Sequence, residues 1–208
     1  MALSASSNRQ LLENDRLEQE HVGYLARYQS ERAFCSHMLD LEQVSFLSEQ
    51  WTPGALCAKV AEIFRVKETE VALLELRGKL LHFLFPEELR SAGAIPVSSS
   101  AVAARTVQTG KAEVFNSFAQ VNHFSIFELV KLGDSGLDAQ VIQKLMSAPV
   151  FTTREILGVI QISRKGPRPE IAGPDFTPAD LQKLESVAHW VAKLMAKGKV
   201  IAQSAGQF

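Results

Sequence analysis

The sequence predicts an α+β fold in which a mostly antiparallel sheet is covered by helices, and three observations support it. The run from Ile156 to Lys165 is apolar on both faces, as expected of a strand that lies between two layers. Two strand-like runs, 71–76 and 79–85, are separated only by Arg77-Gly78, a connection short enough to force an antiparallel hairpin. A long amphipathic helix follows the last strand and begins with an unusually complete set of start signals.

Two helix starts are clearly marked. Thr52 is followed by Pro53, and Thr177 by Pro178, which places a capping hydroxyl before a proline at the first helical position. Asp180, three residues after Thr177, completes the pattern of a reciprocal cap. These signals predict helices that begin at Pro53 and Pro178, the second of which extends to about residue 197.

The remaining elements follow from apolar spacing and turn residues. We expect a helical pattern over 7–50, an extended piece at 94–97, a helix capped by Ser98–Ser100 and ended by Gly110, strands at 111–115, 145–152 and 156–163, and helical signals at 124–131 and 137–145 within an irregular region, 117–147. The closing helix carries two apolar stripes, so it needs two surfaces to bury them. One is expected to be the sheet and the other a second helix.

Composition excludes several classes of function. Twenty-two Lys and Arg balance 23 Asp and Glu, so the chain has none of the broad positive charge of a nucleic-acid binder. No apolar run approaches the length of a membrane span, and the first residues lack the order of a signal peptide. The two cysteines, Cys35 and Cys57, have no metal-ligand spacing. We therefore expect a cytoplasmic protein with no metal, nucleic-acid or membrane partner.

Two segments resemble the GAF domain family of small sensory modules. Residues 100–116, SAVAARTVQTGKAEVFN, look like the short helix, Thr-Gly stop and following strand of that family. LGVIQISRK at 157–165, with FTPADLQKLESVA at 176–188, looks like its final strand and closing helix. The similarity runs from about Thr52 to Ala196.

The resemblance implies a central antiparallel sheet of about six strands, with the N- and C-terminal helices on one face and a small-molecule pocket on the other. It also implies a homodimer formed through bundled terminal helices. The expected organisation is an N-terminal helical extension for dimerisation at 1–50, a GAF-like domain at 51–198 and a frayed tail at 199–208.

Catalytic and chromophore-binding relatives differ from this chain. The Asn-Lys-Phe-Asp-Glu signature of cyclic-nucleotide-binding members is missing, and neither cysteine falls where bilin-binding members or free methionine sulfoxide reductases need one. We therefore predict no catalytic residues and no enzyme activity, and the cofactor, if any, is not predicted.

Nine residues are candidates for ligand contact. Ser98, Ser99 and Ser100 precede a helix whose first N–H groups favour anions, although plain capping explains them equally well. Phe115, Asn116, Phe118, His123, Phe124 and Phe127 form an aromatic and polar cluster of the kind that lines ligand sites, and ordinary core packing is the alternative interpretation.

Taken together, the predicted function is a non-enzymatic sensory domain that binds an unidentified small molecule and signals through a helical dimer interface. Two alternatives stay open. The first is a protein-interaction or dimerisation module with a vestigial pocket, and the second, less favoured, is an enzyme of the methionine-sulfoxide-reductase kind.

Overall fold

The architecture was determined from a computed structural model, which describes residues 16, 18–20, 22–23, 29–39, 52–91, 93–118 and 141–205, with side chains to residue 197. The chain divides into two units, Met1–Glu42 and Gln43–Phe208. In the first unit every described residue is helical, in line with the predicted helical pattern. Arg16 and Glu20 form an exposed ion pair at 3.2 Å on one side of this helical segment.

The second unit contains a six-stranded sheet with helices. Its helices are α1 Pro53–Phe64, α2 Val102–Thr109 and α3 Pro178–Ala205, with short 3-10 helices at Glu68–Glu70 and Glu87–Ser91. Its strands are β1 Val71–Arg77, β2 Leu80–Phe85, β3 Ala94–Pro96, β4 Glu113–Phe115, β5 Ile142–Phe151 and β6 Ile156–Lys165.

All five strand pairings are antiparallel, and the strand order is β3-β2-β1-β6-β5-β4. β6 therefore lies in the middle of the sheet, which explains why its sequence is apolar on both faces. The α+β fold with about six antiparallel strands is confirmed.

Strand register defines two faces. The front face carries Ala72 and Leu74 of β1 and their neighbour Val159 of β6, and these form one buried cluster with Val102 and Ala103 of α2. The back face carries the alternate residues, all fully buried: Val71, Leu73, Met146, Ala148, Ile160 and Ile162. α1 contacts β1 and β2, and α3 contacts β4, β5 and β6. The helices that begin and end the domain thus share the back face, as expected.

Both marked helix starts are confirmed. Thr52 is the N-cap of α1, and its hydroxyl accepts a hydrogen bond from the Ala55 amide at 3.2 Å. The Thr177 hydroxyl accepts from the Asp180 amide at 3.2 Å, while the Asp180 carboxylate accepts from the Thr177 amide at 2.8 Å. The N-terminus of each helix is therefore fixed by hydrogen bonds between side chains and backbone amides that have no partner within the helix.

Two predictions about strands need correction. The β1–β2 hairpin turns at Gly78-Lys79, one residue later than predicted, because Arg77 still pairs with Leu80 and Gly78 adopts the left-handed φ of 62°. The helical signal at 137–145 was wrong over 142–145, which belongs to β5. A bulge between Ile142 and Lys144 puts Ile142 and Leu145 on the same face, and this three-residue spacing imitates a helix.

Pro149 lies within β5, where a proline would normally remove a hydrogen bond of the sheet. β4 pairs with β5 only as far as Ser147, so Pro149 lies past the end of that pairing. The short length of β4 therefore makes the proline compatible with a strand that is paired on both sides only from Leu145 to Ser147.

Candidate ligand-binding face

The front face is the side of the sheet opposite the terminal helices. Its covering helix, α2, begins with an apolar turn in which Ala101, Val102, Ala103 and Ala104 are all buried. Phe118, only 1% exposed, belongs to the same cluster as this turn. Phe118 therefore belongs to the core of the front face that α2 covers.

A chain of hydrogen bonds joins α2 to the middle of the sheet. The side-chain amide of Gln161 donates to the Ser147 hydroxyl at 3.1 Å. The hydroxyl oxygens of Ser147 and Thr106 lie 2.7 Å apart. Thr106 also donates to the Val102 carbonyl at 2.9 Å, so the Ser147 hydroxyl must donate to Thr106. Thr106 and Ser147 are fully buried. Because an unpaired polar group there would be costly, this chain fixes where α2 sits on the sheet.

The edge of the front face is held by a charged pair. Arg105 donates two hydrogen bonds to the Glu113 carboxylate, at 2.9 and 2.7 Å, and this bonding raises the pKa of the arginine. The Arg105 guanidinium also lies 5.0 Å from the centre of the Phe115 ring, and Phe115 packs edge-on against Phe118 at 6.3 Å. Phe115 of β4 thus contacts both Arg105 of α2 and Phe118.

The serine run lies at the turn before α2, but it does not cap the helix as predicted. The N-cap is Ala101, which makes no side-chain cap bond, and the Ser99 hydroxyl accepts a hydrogen bond from the Ala101 amide at 3.4 Å. Ser98 and Ser100 are exposed and Ser99 is half-buried. Burial of the apolar first turn against the sheet sets the helix start after the run. The end signal at Gly110 is confirmed, with a φ of 63°.

Asn116, another predicted contact, has a partner far away in sequence. Its side-chain amide donates to the Phe176 carbonyl at 2.9 Å, and its side-chain oxygen accepts from the Phe176 amide at 2.9 Å. The side chain therefore pairs with one peptide segment in both directions, just before the cap of α3.

The structure brings Phe115 and Phe118 together beside α2, whereas Ser98–Ser100 lie in the turn that leads into that helix. The predicted helix at 124–131 and three candidate residues, His123, Phe124 and Phe127, lie outside the described residues. Contact between any of these residues and a ligand stays a prediction.

Sequence reasoning missed the buried polar chain. Gln161 and Ser163 interrupt the apolar run of β6 at positions two apart, which places both on one face. That spacing was a usable signal for a polar stripe. Ser147 gave no comparable signal, because the residues two positions away on its strand, Leu145 and Pro149, are not polar. Thr106 gave none, because it is one of several polar residues in α2.

Neither cysteine belongs to an element of the front face. Cys57 belongs to α1 and is fully buried, and this burial raises the pKa of its thiol far above the ordinary value. Cys35 is an exposed residue of the N-terminal unit. Within the described ranges, no three His, Cys, Asp or Glu side chains are grouped to hold a metal ion, and no helix has the length and apolar character to cross a membrane.

Known structures share this architecture. The GAF domain of the phosphoenolpyruvate-protein phosphotransferase of Acinetobacter is 13% identical, with a TM-score of 0.62, and the match covers 82% of this chain and 98% of that one. The corresponding domain of Coxiella burnetii is 8% identical, with a TM-score of 0.62 and coverage of 82% and 96%. The A. aeolicus nlh2 GAF domain, solved in an inactive state, is 13% identical, with a TM-score of 0.53 and coverage of 80% and 98%.

At these identities the structures show a shared fold. No curated protein matches the chain in sequence. The sequence of residues 52–195, more than half of the chain, matches the GAF domain family. This chain therefore belongs to the GAF domain family of sensory and signalling modules.

Proposed function

We propose that this protein is a non-enzymatic sensory domain that binds a small molecule at its front face and transmits binding through the terminal helices of a homodimer. The observation that carries the proposal is the position of Phe118. This residue follows β4 and is buried in the same cluster as the first turn of α2, so it belongs to the core of the front face. A ligand held at this face would contact the serine run and residues 115–127.

The chemistry of the α2 N-terminus favours an anionic group on the ligand. Ala101 offers no side-chain acceptor, and the first amides of a helix lack partners within the helix. These amides, together with the helix dipole, attract a carboxylate or phosphate. Ser98 and Ser100, both exposed, supply additional hydroxyl donors at the same turn.

A thermal-shift screen against nucleotides, amino acids, haem and organic acids tests ligand binding. A compound that prefers the folded state raises the melting temperature. For an anionic ligand, Ser100→Asp should abolish the shift by repulsion, without lowering the melting temperature of the free protein. Ser186→Asp, the same change at an exposed position of α3, should leave the shift intact. Equal shifts in the two variants would refute binding at the α2 N-terminus.

The lack of catalysis is supported by the state of the thiols. Cys57 is fully buried and its raised pKa keeps it protonated, so it is a poor nucleophile. We expect an alkylating reagent to modify Cys35 alone in the native protein and both cysteines after unfolding. Rapid labelling of Cys57 in the native protein would contradict the proposed lack of catalysis and would favour the reductase alternative.

The proposed homodimer rests on the family resemblance alone, because both apolar stripes of α3 are already buried within the single chain. Residues of both stripes are buried in the described part of this helix: Leu184, Val187, Ala188, Trp190, Val191, Leu194 and Met195. One surface of the helix packs on the sheet, while family members commonly pair through such helices. Light scattering of the full chain at micromolar concentration should give twice the monomer mass.

A second function is favoured by the packing of the front face. Its described part is filled by core side chains, with Phe118 and the α2 turn in one cluster, which suits an interaction module with a vestigial pocket. A dimer by light scattering combined with no thermal shift from any compound class would favour this function over sensing.

A further inference from the structure

The loop before α3 is tied to three neighbouring strands. The Lys144 ammonium group, from β5, donates to the Gly173 carbonyl at 2.6 Å and contacts the Asp175 carboxylate at 2.7 Å. From β6, the Arg164 guanidinium lies 4.7 Å from the centre of the Phe176 ring. Asn116, directly after β4, holds the Phe176 main chain. Every residue of this loop from Gly173 to Phe176, except Pro174, thus contacts one of these side chains.

These attachments differ in how firmly the strand that carries each side chain is held in the sheet. β5 and β6 are ten-residue strands near the centre of the sheet, so Lys144 and Arg164 are fixed with it. β4 has three residues and is paired on one side only. Asn116 is thus the attachment whose position depends on the short edge strand β4.

The Asn116 attachment also has a particular geometry. It uses the main-chain amide and carbonyl of Phe176, so it fixes the path of the backbone rather than a side chain. Phe176 is itself 3% exposed, and the next residue, Thr177, is the cap of α3. Any shift of Asn116 is therefore transmitted through one peptide bond to the first turn of the helix.

We propose that Asn116 couples residues 113–118, which comprise β4 and the residues directly after it, to the first turn of α3, so that loosening either end loosens the other. This inference rests on the proposed sensory function, for which it supplies a direct route: the signal passes along the Asn116–Phe176 pair and does not require a change in the central strands. The output is the stability of the first turn of α3.

Hydrogen exchange of the full chain tests the coupling without any ligand. Asn116→Ala removes both bonds and should accelerate exchange of the Phe176 amide about tenfold, the factor expected for a hydrogen bond of ordinary strength. The amides of β1 and α1 should keep their wild-type rates. Unchanged exchange at Phe176 would overturn the proposal.

The reverse direction is the stricter test, because coupling between two sites is reciprocal. Thr177→Ala loosens the first turn of α3, and in the wild-type background it should accelerate exchange in residues 113–118 severalfold. In the Asn116→Ala background the same change should no longer affect residues 113–118. Acceleration of equal size in both backgrounds would show that the effect travels by another path and would overturn the proposal.

Thr52→Ala is the matched control. It removes the cap of α1, which lies on the same face of the sheet, and should leave residues 113–118 unaffected. An equal effect from this control would attribute the result to general destabilisation and would also overturn the proposal. If Asn116→Ala does not fold, Asn116→Asp keeps the acceptor for the Phe176 amide and should show the same pattern with smaller changes.

The outcomes separate this inference from the proposed function. Ligand binding by thermal shift with no exchange coupling would leave the sensor intact and refute the route. Coupling without any ligand would establish the route in a domain that does not sense small molecules.

Discussion

The two faces of the sheet hold their helices by different means. On the back face, α1 and α3 lie against residues such as Leu73, Ile160 and Ala148, whose contacts are apolar. On the front face, α2 lies against both apolar residues and the hydrogen-bonded chain of Thr106, Ser147 and Gln161. Apolar contacts have no preferred direction, whereas hydrogen bonds do.

This difference indicates which helices can change position on the sheet. A helix on an apolar face can slide at modest cost if the packing is preserved, whereas α2 would have to break buried hydrogen bonds. Specific polar attachments of α3 to the sheet occur near its start, at the loop held by Lys144, Arg164 and Asn116. The front face is therefore suited to holding a fixed surface, and the back face to transmitting movement.

Gly158 is the position where a single change should damage both faces most. A Cβ atom added there would lie 2.0 Å from the Leu74 carbonyl oxygen, so β6 and β1 would have to separate. We expect Gly158→Ala to lower the free energy of unfolding by about 3 kcal/mol or more, the range of severe core changes. Urea denaturation measures this loss.

Gly54→Ala is the control for Gly158→Ala. Gly54 lies in the first turn of α1 with no atom within 4 Å of the added Cβ, so alanine should stabilise the protein by up to about 1 kcal/mol. Similar effects of the two substitutions would mean that β6 does not approach β1 this closely.

Adjacent residues of β5 test the contrast between the faces directly. Ser147→Ala removes the hydroxyl that accepts from Gln161, so a buried amide loses its partner, at a cost of about 1–3 kcal/mol. Ala148→Ser places a hydroxyl on the apolar back face and should cost a similar amount for the opposite reason. Urea unfolding of the two variants gives both values.

The double variant Ser147→Ala/Gln161→Leu separates polar bonding from packing. Replacing both partners by apolar groups removes the unpaired amide, so the double variant should be more stable than the sum of the single losses predicts. Strict additivity would show that Ser147 and Gln161 contribute independently and that the bond between them adds nothing to stability.

Elements with local signals were predictable from the sequence. Thr52, Thr177 and Gly110 act through residues at most four positions away, so their roles are visible in a short window. The bulge in β5 was not visible, because it is defined by the register with β6. The same holds for Asn116, whose partner is 60 residues away. The sequence shows that residue 116 is polar, but it does not show whether the partner of this side chain is a ligand or the main chain of Phe176.

The two caps on the back face allow a smaller test. Thr177 is reciprocally bonded with Asp180, whereas Thr52 makes one cap bond. Thr177→Ala should therefore cost about 1–2 kcal/mol and Thr52→Ala about 0.5–1 kcal/mol, both within the range for cap removal. Thermal or urea unfolding ranks the two, and a larger loss at Thr52 would contradict the importance of the reciprocal cap.

The smallest effect is expected at the edge of the front face. Arg105 and Glu113 are 46% and 29% exposed, so Glu113→Gln should cost no more than about 1 kcal/mol, and less at high salt. Arg105→Gln should cost more than Glu113→Gln, because it also removes the cationic group over Phe115. That excess should survive high salt, since it reflects packing on the ring as well as charge. Urea unfolding at low and high salt measures both terms. Equal losses in the two variants would show that the aromatic contact contributes nothing, and that the front-face edge is held by the ion pair alone.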